Sequence, residues 1–119
     1  MKDCIFCQIV AKKSPAKIFY EDEHALAFPN LNPIVEGHVM VIPKKHAVNM
    51  LDIATEDLET LVASTRQVAQ KVVTEYEATG FNLLMANGHD AQQSVFHFHW
   101  HIVPRCPHDG LDLWIKHSL

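Results

Sequence analysis

Three histidines at every second position, His97, His99 and His101, alternate with Phe98, Trp100 and Ile102, and this register constrains the chain more than any other stretch. Alternation over Val95 to Val103, rich in aromatic and β-branched residues, predicts a β-strand, because a strand turns successive side chains to opposite faces. The imidazoles then share one face while Phe96, Phe98, Trp100 and Ile102 share the other, which has to be core. At a rise of about 3.3 Å per residue, neighbouring imidazoles start ~6.6 Å apart and the outer two ~13 Å apart. Zinc holds nitrogen at about 2 Å, so two neighbours on a regular strand can converge on one ion but three cannot. The three histidines are expected to have different tasks.

The rest of the chain supplies elements for that strand to pair with. Lys17 to Tyr20 and His24 to Phe28 read as short strands, and Pro29 to Pro33 as a stiff polar loop. His38 to Pro43 reads as a central strand, since Val39-Met40-Val41-Ile42 is apolar throughout. Thr55 is placed to cap a helix with Glu56, Asp57 and Glu59 in its first turn. Leu58, Leu61, Val62, Val68, Ala69, Val72, Val73 and Tyr76 recur at three- and four-residue steps, and Gly80 suits a left-handed stop. Phe81 to Ala86 completes the set. One long helix leaves no further segments for parallel crossovers, so the reading is a single α+β domain over residues 1–119 with an antiparallel sheet.

Composition removes several function classes. The formal charge of −4 comes with no basic stripe beyond Lys12-Lys13 and Lys44-Lys45, which argues against a nucleic-acid groove. No apolar run approaches the ~20 residues that cross a bilayer, and the N-terminus lacks the order of a signal peptide, so a cytoplasmic protein is expected. Three cysteines, an odd number, fit a reducing compartment. Nine histidines are the compositional outlier and point to proton transfer or metal binding. Four scattered glycines form no Walker or Rossmann loop, so any bound phosphate must be met by imidazoles, side-chain amides, hydroxyls and turn N–H groups. Cys4-x-x-Cys7, read alone, fits two ordinary thiols as well as half a metal site, and no βαβ context supports a thioredoxin-like role. The tail from Leu111 to Ile115 is unusually apolar and is expected to dock on a surface.

His97-Phe98-His99-Trp100-His101-Ile102-Val103 resembles the signature of the histidine triad (HIT) family, and Gly37-His38-Val39-Met40-Val41-Ile42-Pro43-Lys44-Lys45-His46 resembles its second block. The resemblance runs from Cys4-Ile5-Phe6-Cys7 to Arg105. It implies a HIT-like fold: a five-stranded antiparallel sheet, one long helix and a short N-terminal helix. It further implies a homodimeric hydrolase or transferase that attacks the α-phosphate of a nucleoside phosphoramidate or dinucleoside polyphosphate, with no organic cofactor. His99 would be the nucleophile and would form a nucleotidyl-histidine. His101 and His38 would contact phosphate oxygens or assist the leaving group, and Ser94, Gln93 and Asn87 would add polar contacts. Asn30 matches a ribose-binding position, and Ile5, Phe6, Ile9, Phe28 and Leu31 match the wall around a purine base. Some bacterial relatives complete a Cys₂His₂ structural zinc site from Cys-x-x-Cys; here the ligands would be Cys4, Cys7, His46 and His97.

Plainer readings stand beside these. Phe6 and Phe28 fit ordinary core, Cys106 a plain thiol, and His24, His89, His108 and His117 solvated surface. Two rival functions are a non-catalytic nucleotide sensor or scaffold on the same fold, and a hydrolytic zinc enzyme using His97 and His99 as an open-site pair.

Overall fold

The computed structural model describes residues 3–116, so His117 lies outside the described residues. In chain order it contains α1 (Ile5–Val10), β1 (Tyr20–Glu21), β2 (Ala25–Pro29), β3 (Val39–Pro43), α2 (Thr55–Glu75), β4 (Gly80–Leu84) and β5 (Trp100–Arg105), with a 3-10 turn at His89–Ala91. The five strands form one antiparallel sheet in the order β1-β2-β3-β5-β4. This is the α+β architecture with a long and a short helix that the sequence predicts. No helix among the described residues is long and apolar enough to cross a membrane.

Strand alternation sends two sets of side chains to two helices. Ala25, Ala27, Val39, Val41, Trp100 and Ile102 pack with Phe98 against Leu61, Val68, Ala69 and Val72 of α2. Leu26, Phe28 and Ile42 face the other way and pack with Cys4, Phe6 and Ile9 around α1. His101 pairs in register with Met40, a residue of that second face, so the histidine face of β5 and the N-terminal helix lie on the same side of the sheet. Fully burying Phe98, Leu26 and Ile42 contributes roughly 1.5–3 kcal/mol each.

Three expectations about local structure are corrected. The regular strand begins at Trp100, not Val95: the chain bends at 95–97, and the Phe98 N–H donates to the Ala47 carbonyl at 2.7 Å instead of entering the ladder. Phe96 consequently leaves the core face and is 48% exposed. The N-cap of α2 is Ala54, without a side-chain hydrogen bond, and Thr55 is already helical. At its other end α2 stops at Glu75, the left-handed position falls on Glu77 (φ 51°), and Gly80 opens β4 instead of ending the helix. Closure comes early because the Ala78 N–H reaches the Val73 carbonyl at 3.0 Å, holding the Tyr76 ring against Gly37.

Polar ties fix the remaining segments. Asp22 accepts the N–H groups of His24 and Ala25 and the hydroxyls of Tyr20 and Ser64, joining the β1–β2 turn to α2. Arg105 grips Asp109 through Nε at 2.8 Å and the Leu111 carbonyl through Nη2 at 2.7 Å. Beyond that anchor Leu113 is half-buried, while Trp114 and Ile115 are 66% and 75% exposed.

Candidate active site and metal centre

Cys4 caps α1, its sulfur accepting the Cys7 N–H at 3.3 Å, so the first turn of this short helix brings both thiols to the same place. His46, three residues past the end of β3, and His97, in the bend before β5, arrive from the sheet side. The ligand atoms of Cys4, Cys7, His46 and His97 all lie within 4.8 Å of one another. His97 Nδ1 is 3.3 Å from Cys4 Sγ, 3.5 Å from Cys7 Sγ and 3.1 Å from His46 Nδ1, and Cys7 Sγ is 3.3 Å from His46 Nδ1. A tetrahedron built on ordinary zinc bonds has edges of about 3.3 Å between nitrogens and about 3.5 Å between sulfur and nitrogen. The donor set and its spacing therefore fit a closed four-ligand zinc site. The opposite ring nitrogen, His97 Nε2, donates to the Pro43 carbonyl at 2.8 Å, which leaves Nδ1 as the lone pair aimed into the cluster. Burial, helped by His46 and His99 and opposed by the Pro43 carbonyl, pushes the His97 ring down to about 4, so it is the neutral form that a metal binds. Burial and the neighbouring Cys4 push the Cys7 thiol up, an effect that a bound cation would reverse.

His99 stands outside this cluster. Its Nδ1–H donates to the His97 carbonyl at 2.8 Å, so the lone pair of the neutral ring is on Nε2. Nε2 has no hydrogen-bond partner among the described residues, and no buried side-chain nitrogen or oxygen there is left unpartnered, so Nε2 is accessible from solvent. Phe6 packs edge-on against the rings of both His97 and His99, at 5.8 and 5.2 Å between centroids.

His101 and His38 form a second pair, with His38 Nε2 at 3.0 Å from His101 Nδ1. The backbone N–H of Ile34 donates to His38 Nδ1 at 3.1 Å, which puts the His38 proton on Nε2 and makes His101 Nδ1 the acceptor. The His101 proton is then on its own Nε2, a donor with no partner among the described residues and 5.4 Å from His99 between ring centroids. Burial first, then the neighbouring His38 and His99, pushes His101 down to about 4, and burial alone lowers His38. Both rings are neutral at neutral pH, as this chain of donors and acceptors requires.

The other residues singled out by sequence divide into three groups. Asn30 is brought beside the histidine pair, its amide 3.4 Å from His38 Nε2, because the loop closes with the Asn30 N–H on the His38 carbonyl at 3.2 Å. Phe6, Ile9 and Phe28 are buried together, whereas Ile5 is 45% and Leu31 94% exposed, so the apolar residues divide between core and surface. Ser94 is exposed with a hydroxyl that makes no hydrogen bond among the described residues, while Asn87 and Gln93 spend their side chains on neighbouring loops. Sequence reasoning missed the backbone partners, the Ile34 N–H and the Pro43 and His97 carbonyls, because every residue carries such groups. It also missed Asp52, which folds the turn after His46 by accepting the N–H groups of Val48 and Asn49. A compact Asn49-to-Asp52 turn was its one legible signal.

A family model described as HIT domain matches residues 11–108. Protein hit of Bacillus subtilis is 41% identical over 104 residues, 87% of this chain and 72% of that protein. Adenylylsulfatase HINT3 of Arabidopsis thaliana is 34% identical over 117 residues, 98% of this chain and 58% of the plant protein. Among solved structures, a zinc-bound histidine triad family protein from Mycobacterium smegmatis superimposes with a TM-score of 0.88 at 35% identity, covering 98% of this chain and 85% of that one.

Proposed function

Because the chain belongs to the HIT domain family, we propose that it binds a purine nucleotide and cleaves the leaving group from its α-phosphate through Nε2 of His99. The observation that carries this reading is the 2.8 Å hydrogen bond from His99 Nδ1 to the His97 carbonyl, which places the lone pair of the neutral ring on Nε2. A neutral imidazole is a competent nucleophile near neutral pH. In the first step the Nε2 lone pair forms a bond to the α-phosphorus, and the bond from phosphorus to the leaving nitrogen or oxygen breaks. The departing nitrogen or oxygen takes its proton from solvent, while the neutral His101 Nε2–H donates a hydrogen bond to an α-phosphate oxygen and steadies the charge that builds there. In the second step water attacks the phosphorus of the cationic nucleotidyl-histidine, the bond from phosphorus to Nε2 breaks, the proton of the water passes to solvent, and the nucleoside monophosphate and neutral His99 are released.

The remaining residues bind and orient. His38 holds His101 in the donor tautomer, the Ser94 hydroxyl is free to meet phosphate oxygens, and Asn30 reaches the ribose. Phe6, Ile9 and Phe28 form the floor and Ile5 and Leu31 the rim of a base pocket, where a flat ring gains from apolar burial. The adenylylsulfatase named among the relatives supports an adenylyl group as the part retained on histidine, and the substrate classes we propose are nucleoside phosphoramidates and dinucleoside polyphosphates. Cys4, Cys7, His46 and His97 would hold zinc, which would supply cross-linking of the N-terminal helix to the sheet and no chemistry at phosphorus. A zinc-bound relative supports that assignment.

A homodimer completes the reading. β4 is one of the two sheet edges, with Phe81 43% and Leu83 44% exposed, and these flank a groove of about 600 Å³ that Val62, Ala69 and Val73 of α2 also line. An apolar edge beside an apolar groove is covered when a second copy pairs edge to edge across a two-fold axis. The decisive experiment for the function is to mix the protein with an adenosine phosphoramidate, quench, and map adducts by mass spectrometry. An adenylyl group on His99 is expected; turnover of the same substrate by His99→Gly at the unaltered rate would overturn the mechanism.

A further inference from the structure

Gln93 lies between two exposed residues, Gln92 and Ser94, yet is 4% exposed, its side chain turned inward after the left-handed Gln92 (φ 70°). Its carbonyl oxygen accepts the Gly88 N–H at 2.8 Å and the Asn49 amide at 3.3 Å. Its amide nitrogen donates to the Val48 carbonyl at 2.7 Å and the Val95 carbonyl at 3.1 Å. Both hydrogens and both lone pairs are thus used within the protein, with none left for a phosphate.

The partners of Gln93 belong to two loops with a shared purpose. One leaves His46, and the other ends two residues before His97. β3 and β5 pair at Val39 to Val41 against Trp100 to Ile102, and the ladder stops there, short of both His46 and His97. Beyond it the seam between the segments is closed by Gln93, by the Met50 N–H on Asn87 Oδ1 at 2.8 Å and by the Phe98 N–H on the Ala47 carbonyl at 2.7 Å. The 3.1 Å separation of the two Nδ1 atoms is set where these loops meet.

We propose that Gln93 is a positioning residue that sets the spacing of His46 and His97, and through the His97 carbonyl the aim of His99, and that it does not contact phosphate. This rests on the zinc reading given above. Removing a direct outer partner of a ligating histidine typically weakens metal binding by about 10–100-fold, and Gln93, one step further out through the loops that carry His46 and His97, is expected at the low end of that range.

The test uses the full chain loaded with zinc, as Gln93→Met, which keeps the length but not the hydrogen bonds, and as Asn49→Ala, which removes one partner. Zinc affinity is read by competition with a chromogenic chelator, and the affinities for adenosine monophosphate and adenosine by calorimetry. Gln93→Met should lose about tenfold or more in zinc affinity, and Asn49→Ala less but in the same direction, with the monophosphate-to-adenosine affinity ratio unchanged. Undiminished zinc affinity with selective loss of monophosphate binding would make Gln93 a phosphate contact and overturn the inference. Should Gln93→Met fail to fold, undiminished zinc affinity in Asn49→Ala overturns it equally. Wild-type protein that takes up no zinc would remove the metal reading and this inference with it, whereas unaffected variants defeat the inference alone.

Discussion

The carbonyl of His97 accepts the Nδ1–H of His99 at 2.8 Å, while the ring of the same His97 presents Nδ1 to Cys4, Cys7 and His46. One residue therefore belongs to the thiol cluster through its side chain and orients the neighbouring imidazole through its backbone. Any shift of the cluster reaches His99 through a single peptide group.

Replacing His99 with Gly or Asn should abolish turnover of a nucleoside phosphoramidate while nucleoside monophosphate affinity is largely kept, since the proposed base and ribose contacts lie elsewhere. Loss of His101 or Ser94 should cost less than loss of His99, about 10²–10³-fold in kcat, the range for removing one hydrogen-bond donor to a developing oxyanion. Steady-state kinetics with calorimetric binding separates these outcomes, and full binding of substrate without turnover by the wild-type protein would favour the sensor.

Acid should destabilise the protein through His101. The ring sits at about 4 in the folded state against an ordinary 6.5, so between these values the unfolded chain binds the extra proton. The contribution is present above pH 6.5, falls as pH drops towards 4 and levels off below it, with a slope of up to about 1.4 kcal/mol per pH unit. Urea midpoints from pH 7 to pH 4.5 should fall more steeply for the wild type than for His101→Gln; parallel curves would remove the effect.

Stripping zinc, or making Cys4→Ser with Cys7→Ser, should lower Tm while the folded fraction retains some catalysis, because the proposed metal is structural. Elemental analysis and differential scanning calorimetry check the first part. Complete inactivity of folded, metal-free protein would instead favour a metal at the reacting phosphorus.

Leu83→Arg should convert a dimer into a monomer by placing a charge on the exposed edge of β4. Light scattering at micromolar concentration reads this directly. A wild-type mass equal to that of one chain would sink the dimer.

Gly37→Ala should destabilise more than Gly88→Ala. Both glycines have positive φ, 92° and 95°, but a Cβ at Gly37 would meet Tyr76 Cδ2 at 2.7 Å, whereas at Gly88 it meets open space. Strain alone should cost about 1–3 kcal/mol, and overpacking a further ~1–3 kcal/mol at Gly37 alone. Equal Tm losses would show that the Tyr76 ring moves aside freely.

Much of this protein was legible as periodicity. Two-residue alternation placed Val39, Val41, Trp100 and Ile102 on one side of the sheet, and three- and four-residue spacing placed Leu61, Val68 and Val72 on the helix that covers them. The three histidines, expected from strand spacing to differ in task, do occupy different surroundings, although only His101 lies on the regular strand: His97 in the thiol cluster, His99 on a carbonyl, His101 against His38. Periodicity reports which side of the backbone a residue occupies. It does not report where a ladder ends, which depends on partners distant in sequence: the Ala47 carbonyl takes the Phe98 N–H, so the strand starts at Trp100 and Phe96 is released to solvent. The same limit hid the tautomers, assigned by the Pro43 and His97 carbonyls and the Ile34 N–H, and the burial of Gln93 between two exposed neighbours. Residue type carries chemistry and spacing carries facing, but only the folded chain decides which backbone groups are free to hold each ring.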